Sequence, residues 1–568
     1  MPPTPEAVEA FLNNKSPDAY SDLIDQLLAS PHYGEKWGQI WLDVIRYSES
    51  EGFEYDRELP GAWRFRDYVI RSLNEDKPFD QFIREQIAGD EFENPNDDEL
   101  IAAGFHRFGP VRRNAGNPDI ALSRNEVLTE RTDIIGSAFM GITMGCARCH
   151  DHKLDPFSQK DYYSLQAFMA ATQEKNHMLG SEEVLKTWQS TTDSLKEKIA
   201  ETTKQKDMAE GEEKEALLAK IAELNKQLPE MLPSILTIVN DAEKRTDVRL
   251  LHRGEWELKG DAVDMRSPKV LNHAVQVKLP PEAEKPRTQL AGWLVHPDNP
   301  LTPRVLVNRI WQHHFGNGIV NTPNDFGYYG DRPSHPGLLD YLTSELLENG
   351  WRLKALHRKI MLSSAYQQSS RTAATEHAHE IDPENRLLWR FNRRRLQAEE
   401  VRDSLLAVSG RLNTEMYGES IILPVEEELI QLLYKPEQWA VTEDINHHDR
   451  RSVYLIAKRN LRLPFMETFD QPTLQVSCAK RESTTHAPQA LELLNGDITN
   501  DLADSFAERL QQESNDLTDA QIERAWILMT GRPPAENERA LANQFLKTQP
   551  LREFTLAMFN MNEFLYVR

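Results

Sequence analysis

Residues 123–152 read SRNEVLTERTDIIGSAFMGITMGCARCHDH, and this stretch decides how the first half of the chain is organised. Its apolar side chains recur at helical spacing, which predicts a helix from about Ser123 to Met144 that leads into Cys146. Similar spacing on both sides of it predicts further helices along most of the chain. The fold class that we predict is therefore mainly α-helical.

Composition excludes several classes of protein. The chain has 568 residues and a net charge of −24, and its mean hydropathy is −0.61. No run approaches the ~18 apolar residues that a membrane span needs, so we expect that this chain is not an integral membrane protein. The acidic balance leaves no broad basic face, so we expect no nucleic-acid partner.

The cysteines and the first residues bear on the compartment. Only three cysteines are present, Cys146, Cys149 and Cys478, which excludes a disulfide scaffold. Cys478 has no partner in sequence, and we interpret it as a small buried apolar residue. Residues 1–5 are rich in proline and lack the features of a signal peptide, so we expect this start to be trimmed from a longer protein.

Changes in composition predict four segments: a helical domain over 1–178, a helical hairpin over 179–233, a small β-containing connector over 234–284 and a second helical domain over 285–568. The hairpin is predicted from charged, Leu-rich periodicity on two arms, and we expect it to protrude. The connector is predicted from short apolar runs separated by Gly and Pro.

The strongest local motif is Cys146-Ala-Arg-Cys149-His150. It matches the attachment site of haem c, in which two thiols bond to the haem vinyl groups and the adjacent imidazole binds the iron. Two alternatives stay open. One is a thiol pair or disulfide without a cofactor, and the other is a zinc site that includes His150 and His152.

A second axial iron ligand cannot be derived from spacing alone. His152 is too close to His150 to reach the opposite haem face. Met140 and Met144 lie on the incoming helix, where methionine usually serves packing. Our candidate is His106.

Several stretches in order resemble a known pair of domains. The first half resembles the planctomycete cytochrome-C-like domain family of unknown function, and the second half resembles its planctomycete-type partner domain. The matching stretches are residues 41–47, 63–70, 79–90, 141–163, 299–316, 324–327, 392–400 and 450–454. The resemblance implies an exported, periplasmic or otherwise extracytoplasmic protein, and it supplies no activity.

Three carboxylates precede the motif. Glu126, Glu130 and Asp133 recur at i, i+4 and i+7 and are expected on one helix face. They could donate protons, or join Asp151 and Asp155 in holding Ca²⁺. The alternative is a solvated, ion-paired stripe.

Polar residues of the second half predict a ligand cleft. They are Asn308, Arg309, Gln312, His313 and His314 on one helix, Asn324 and Asp325 in a loop, His335, and Arg393, Arg394 and Arg395 at the start of the next helix. Such a set suits a carbohydrate, above all an anionic or sulfated one. The alternative is that the arginines make buried structural ion pairs.

These features lead to three hypotheses. The first is a haem-c redox protein, an oxidoreductase if it acts on a substrate, that binds or oxidises a polysaccharide or sugar and passes electrons to a redox partner protein. The second is a carbohydrate-active hydrolase or binding protein in which the cysteine motif is a structural thiol or metal knot. The third is a non-catalytic scaffold. Motifs for nicotinamide, nucleotide and zinc-protease chemistry are absent from the sequence.

Overall fold

The computed structural model describes residues 1–112, 120–271, 275–371, 376–514 and 517–567. The chain is mainly α-helical, which confirms the predicted fold class, and its strands form small two-stranded antiparallel sheets. No helix in these ranges combines the length and the apolar character that a membrane span requires.

The helices of the first half surround the segment that carries the two neighbouring cysteines. They are α1 Pro5–Asn13, α2 Ala19–Ala29, α3 His32–Val44, α4 Trp63–Asn74, α5 Phe79–Ala88, α6 Asp97–Ala103, α7 Ile120–Ile135 and α8 Gln159–Gln166. Several begin with a capping residue: Asn96 and Ser158 each accept a hydrogen bond from the third helical N–H and so satisfy an otherwise unpaired donor.

A helical hairpin follows, formed by α9 Glu182–Met208 and α10 Gly211–Lys226. Its base is a ladder between β1 Thr172–Met178 and β2 Ser234–Asn240, in which Thr172 pairs with Asn240. Sequence reasoning missed β1, since its mixed polar composition carries no alternating pattern.

The connector and the second half continue with short strands and helices. The strands are β3 Arg249–Leu251, β4 Lys259–Ala262, β5 Met265–Arg266, β6 Lys278–Leu279, β7 Arg394–Arg395 and β8 Tyr566–Val567. The helices are α11 Pro286–Leu294, α12 Thr302–Phe315, α13 Pro336–Glu348, α14 Leu353–Met361, α15 Glu376–Ile381, α16 Ala398–Ser409, α17 Glu427–Ile430, α18 Pro464–Thr468, α19 Ala487–Asn495, α20 Asp497–Ser514, α21 Thr518–Thr530, α22 Glu536–Leu546, α23 Leu551–Phe559 and α24 Asn562–Leu565.

Buried apolar side chains form two clusters. The first contains residues from Ile24 to Ile360 together with Ala479, so α11–α14 share a core with the first-half helices. The second contains residues from Ala398 to Phe564 together with Ile70. The predicted boundary between 284 and 285 thus crosses one continuous apolar cluster.

Two local predictions were wrong. Arg394 and Arg395 do not begin a helix; they form β7, which pairs with β8, and α16 starts at Ala398. The helix predicted to reach Met144 stops earlier, because α7 passes through a π-helical turn into Gly141, where φ is +59°. A Cβ at Gly141 would lie 2.7 Å from Val305 Cγ2, so only glycine fits this bend without a shift.

Candidate functional site

The two neighbouring cysteines lie on the surface in one short turn. The 3₁₀ helix Gly145–Arg148 carries Cys146, and the backbone N–H of Cys149 donates to the Cys146 carbonyl at 3.4 Å. Both cysteines are exposed and neither forms a disulfide. Ala147, between them, is fully buried and anchors the turn.

The two histidines that follow have separate partners. His150 is exposed, and its Nδ1 lies 2.7 Å from the Asp151 carbonyl oxygen. His152 Nδ1 accepts a hydrogen bond of 2.8 Å from the Asp155 N–H. Across the described ranges, no three His, Cys, Asp or Glu side chains gather closely enough to hold a metal ion, so the zinc and calcium alternatives gain no support from the structure.

The predicted sixth iron ligand, His106, lies in the core rather than on this surface. It is 2% exposed, and its Nε2 is 3.1 Å from the Ile87 carbonyl oxygen. Burial, reinforced by the charges of Arg287 and Arg131, holds the pKa of His106 well below its ordinary value. His106 is therefore a neutral, buried imidazole that hydrogen-bonds to the backbone, which is a structural role.

Haem does not fit the surroundings of the turn. Cofactor pockets are concave and mostly apolar, and they enclose most of their ligand. Here both thiols and His150 are exposed, and backbone fills the space beside Cys149, since a Cβ at Gly254 would come within 2.7 Å of its Sγ. Haem attachment therefore stays a prediction, and we derive no chemistry through it.

The three carboxylates of α7 do not converge on one point. Glu130 pairs with the buried Arg46, and Glu126 is partly exposed. Asp133 Oδ1 accepts a hydrogen bond of 3.1 Å from Tyr162. Burial is the main cause that raises the pKa of Asp133 to about 7, so this carboxyl can hold or release a proton near neutral pH.

The predicted cleft of the second half contains a cavity of about 730 Å³, which we call the cationic groove. Five separate parts of the chain, together with Tyr566, form its wall. Its charged and polar lining includes Lys36, Gln312, His313, Asn317, Arg393, Arg394, Arg395, Asp470, Lys480, Arg481 and Glu482. Five of these residues belong to the predicted set.

Most cations of the groove are held by carboxylates. Lys36 and Arg394 both contact Glu400 at 2.6 Å. Arg395 contacts Asp470 at 2.6 Å. These ion pairs position the wall but leave little free charge for a ligand.

Arg481 is the most firmly held of the wall cations. It lies between the buried carboxylates of Asp43 and Glu399, at 2.6 Å from each. Despite the burial that opposes it, the charges of these two carboxylates raise the pKa of Arg481 well above its ordinary value. It is fully compensated and acts as part of the wall.

Two groove cations differ from the rest. In the described part of the chain, neither Arg393 nor Lys480 forms an ion pair, and both are exposed. The Arg393 guanidinium lies 5.6 Å from the ring centre of Tyr566. Lys480 donates to Asn317 at 3.1 Å and to Asn321 at 2.7 Å. Both can bind an anion without breaking an existing pair.

Two residues that line the groove each carry a buried polar atom without a partner in the described structure, Gln312 Oε1 and His313 Nε2. The Gln312 amide N–H donates to the Ala479 carbonyl at 2.6 Å, which orients its oxygen. Burial lowers the pKa of His313 to about 3, so the ring is neutral. Leaving a buried polar atom unpaired costs roughly 1–3 kcal/mol, so a hydrogen-bond partner for either atom would be stabilising.

Two further cavities adjoin the groove. One, of about 670 Å³, shares Lys480 and Arg481 with it and includes Asn324 and Asp325. The other, of about 460 Å³, shares Asn317 with it and includes His335, whose Nδ1 is 3.0 Å from Ser334 Oγ. The predicted residues Asp325 and His335 thus lie beside the groove rather than in it.

Sequence reasoning missed Lys36, Lys480, Arg481 and Tyr566. Lys36 comes from α3, whereas the others lie more than 400 residues further along the chain. The only local signal was the pair of adjacent cations at 480 and 481, and such pairs are common on solvated surfaces. Their convergence is a product of tertiary folding.

Comparisons with known proteins show that two family models match separate parts of the chain. The chain matches two families of unknown function. Residues 1–174 match "PSCyt2: Protein of unknown function (DUF1549)", and residues 286–546 match "PSD1: Protein of unknown function (DUF1553)". Neither the curated proteins nor the solved structures give a match.

The DUF1549 and DUF1553 segments meet at a polar junction next to the cysteine turn. Arg309 of the DUF1553 segment donates to the carbonyl oxygens of Ala138 and Ser137, and to Asn324 Oδ1 at 2.8 Å. Burial lowers the pKa of Arg309 to about 9. The predicted site residue Arg309 is thus 4% exposed and binds backbone.

A loop of the DUF1553 segment completes this junction. The Phe326 N–H donates to the Gly141 carbonyl at 2.8 Å, and the Tyr328 N–H donates to Asp155 Oδ1 at 2.6 Å. Asp325 accepts a bond of 2.9 Å from the N–H of Gly327 in its own loop. The motif-bearing loops of the two segments therefore hold each other in place.

Proposed function

We propose that this protein binds an anionic, hydroxyl-rich ligand, of the class of sulfated or carboxylated polysaccharides, in the cationic groove. The observation that carries the proposal is that one cavity is lined by two exposed cations without an ion pair in the described residues and by two residues with a buried, unpartnered polar atom. Arg393 and Lys480 supply the cations, and Gln312 and His313 supply the polar atoms.

The two kinds of group select different parts of such a ligand. A guanidinium or ammonium group binds a sulfate or carboxylate by charge-assisted hydrogen bonds. The amide oxygen of Gln312 accepts only, so its ligand partner must be a donor such as a hydroxyl group. A ligand that carries anionic groups and hydroxyl groups close together satisfies both.

The net charge of the whole chain favours a local site. At a net charge of −24, the protein repels a polyanion over most of its surface, so binding would depend on the few groove cations that form no ion pair in the described residues. The adjoining cavities extend the surface beyond a single sugar ring. Tyr328 and Tyr329 are 73% and 75% exposed in the loop beside them, and aromatic rings of this kind can stack on sugars.

We propose binding rather than hydrolysis. Glycosidases need one carboxyl group that stays protonated to act as an acid. Despite the opposing effect of burial, hydrogen bonds from Thr484 and Arg395 hold the pKa of Asp470 below its ordinary value. Asp470 is therefore ionised and engaged, and it acts as part of the wall.

Dextran sulfate, dextran and polyacrylate form a matched set of probes for isothermal titration calorimetry with the full chain. We expect dextran sulfate to bind most tightly, since dextran lacks charge and polyacrylate lacks hydroxyl groups. Arg393→Ala and Lys480→Ala should each weaken it about tenfold. Lys160→Ala, an exposed cation on α8, is the control. Equal binding by all variants would overturn the proposal.

Redox chemistry through haem c stays a prediction from the cysteine motif, and the periplasmic location stays a prediction from the family resemblance. The support for haem is limited to the CxxCH spacing of Cys146, Cys149 and His150. A reduced pyridine haemochrome spectrum, measured on protein matured with the c-type haem machinery, tests it directly.

A further inference from the structure

The cysteine turn has the geometry of a dithiol that can close into a disulfide. Three residues along a 3₁₀ helix advance by about 6 Å and bring side chains at i and i+3 to the same side. The Cα atoms of a disulfide usually lie about 4.4–6.8 Å apart. Cys146 and Cys149 occupy i and i+3 of such a turn, so a bond between them needs little backbone movement.

Cys146 and Cys149 differ from the third cysteine, Cys478, in their exposure to solvent. Cys146 and Cys149 are exposed, whereas Cys478 is partly covered and donates to the Lys480 carbonyl at 3.5 Å. Burial is the main cause that raises the pKa of the Cys478 thiol to about 12, which leaves little thiolate at neutral pH. Cys478 therefore serves as an internal reference in the same chain.

A titratable carboxyl group lies next to the turn. Its oxygens are 3.8 and 3.9 Å from the position that a Cβ would take on Gly145, the residue before Cys146. This carboxyl group belongs to Asp133, which does not line the cationic groove. The charged and titratable groups around it are Tyr162, Glu130 and Arg148.

We infer that Cys146 and Cys149 form a thiol–disulfide exchange site that reduces an exposed disulfide of a second molecule, with Asp133 as the proton acceptor of the turn. The inference is independent of the groove. It uses only the turn, the exposure of its thiols and the neighbouring carboxyl group.

The exchange balances in two steps. One thiolate of the turn attacks a sulfur of the substrate disulfide, which forms a mixed disulfide and releases the first substrate thiol. The second thiolate then attacks the mixed disulfide, which closes the Cys146–Cys149 bond and releases the second thiol. Two electrons pass to the substrate, and the two protons lost from the turn end on the released thiols, with Asp133 as the carrier for one of them.

Oxidised glutathione tests the inference on the reduced full chain. We expect loss of two of the three free thiols and a peptide spanning residues 146–149 that is lighter by two hydrogen atoms. Cys149→Ser should stop at a glutathione adduct on Cys146, and Cys478→Ser should behave as the wild type. Insulin, in a turbidity assay, shows whether protein disulfides are reduced as well.

Two results would overturn the inference. One is a wild-type protein that keeps glutathione on both cysteines or does not react, and the other is thioether-bound haem on Cys146 and Cys149. The role of Asp133 has its own test. Asp133→Asn should remove the inflection near pH 7 from the rate of ring closure, whereas an unchanged profile would exclude Asp133 from the site.

Discussion

Arg309 and Arg393 carry the same guanidinium group, but one is buried at the junction of the two matched segments and the other is exposed in the cationic groove. Arg309 is surrounded by carbonyl oxygens of Ser137 and Ala138, whereas the Arg393 guanidinium lies 5.6 Å from the ring centre of Tyr566 and forms no ion pair with the described residues. The first arginine satisfies protein acceptors, and the second is the one that we propose donates to a ligand. Partners and burial, rather than residue type, thus distinguish the structural arginine from the arginine that is proposed to bind a ligand.

The largest loss of stability should come from replacing Arg309. Arg309→Ala removes the donors of several buried carbonyl groups, and each unsatisfied acceptor costs about 1–3 kcal/mol. We expect a loss of about 3 kcal/mol or more in the free energy of unfolding, measured by urea denaturation. Arg304 on the same helix contacts Asp340 at the surface, and Arg304→Ala should cost less than about 1 kcal/mol. Equal losses would contradict the comparison.

Acid should destabilise the protein through His313. Burial lowers its pKa to about 3 in the folded chain, so below pH 6.5 the unfolded chain binds a proton that the folded chain does not. The free energy of unfolding therefore falls as pH falls, and between about pH 7.5 and 5 His313 contributes about 2 kcal/mol. His313→Gln should flatten this dependence by that amount, and parallel curves for both proteins would refute the assignment.

Raising the salt concentration should weaken ligand binding through the exposed cations of the groove. Binding of dextran sulfate should weaken about tenfold as ionic strength rises from about 0.05 to about 0.15 M, because exposed charges are screened over about 8–10 Å. Arg393→Ala and Lys480→Ala should reduce this salt dependence, as followed by calorimetry. A salt dependence that both variants leave unchanged would place the polyanion elsewhere.

The smallest effect is expected from uncharged contacts. Tyr328→Ala and Tyr329→Ala should weaken dextran sulfate binding about twofold to fivefold, through lost stacking area. Since neither ring carries charge, the salt dependence should stay as in the wild type. A changed salt dependence would show that the loop acts on the cations rather than on the sugar. Tyr341→Ala, a half-exposed ring on α13, is the matched control.

Part of the site could be predicted from the sequence. Gln312, His313 and Arg393 to Arg395 were assigned to one cleft, and the structure brings them into one cavity. Arg309 was assigned to the same cleft and proved to be buried at the junction. The spacing of residues along α12 shows which of them share a helix, but it does not show what covers each face.

Other residues could not be predicted because their partners are distant in sequence. Lys36 and Arg394 share Glu400, so residues more than 350 positions apart form one ion-paired unit. The position of Asp133 next to the cysteine turn depends in the same way on how α7 and the turn pack around Gly141. No local sequence pattern predicts contacts between residues that are so far apart in the chain.

By itself, the sequence determined the helical class, the hairpin and the spacing of the two exposed thiols, because periodicity and i, i+3 geometry are local properties of the backbone. Only the tertiary structure decided which arginines are compensated and which polar atoms are left without a partner. Burial and charge pairing depend on segments that meet across hundreds of residues, and the free energy of a buried group is set by those neighbours.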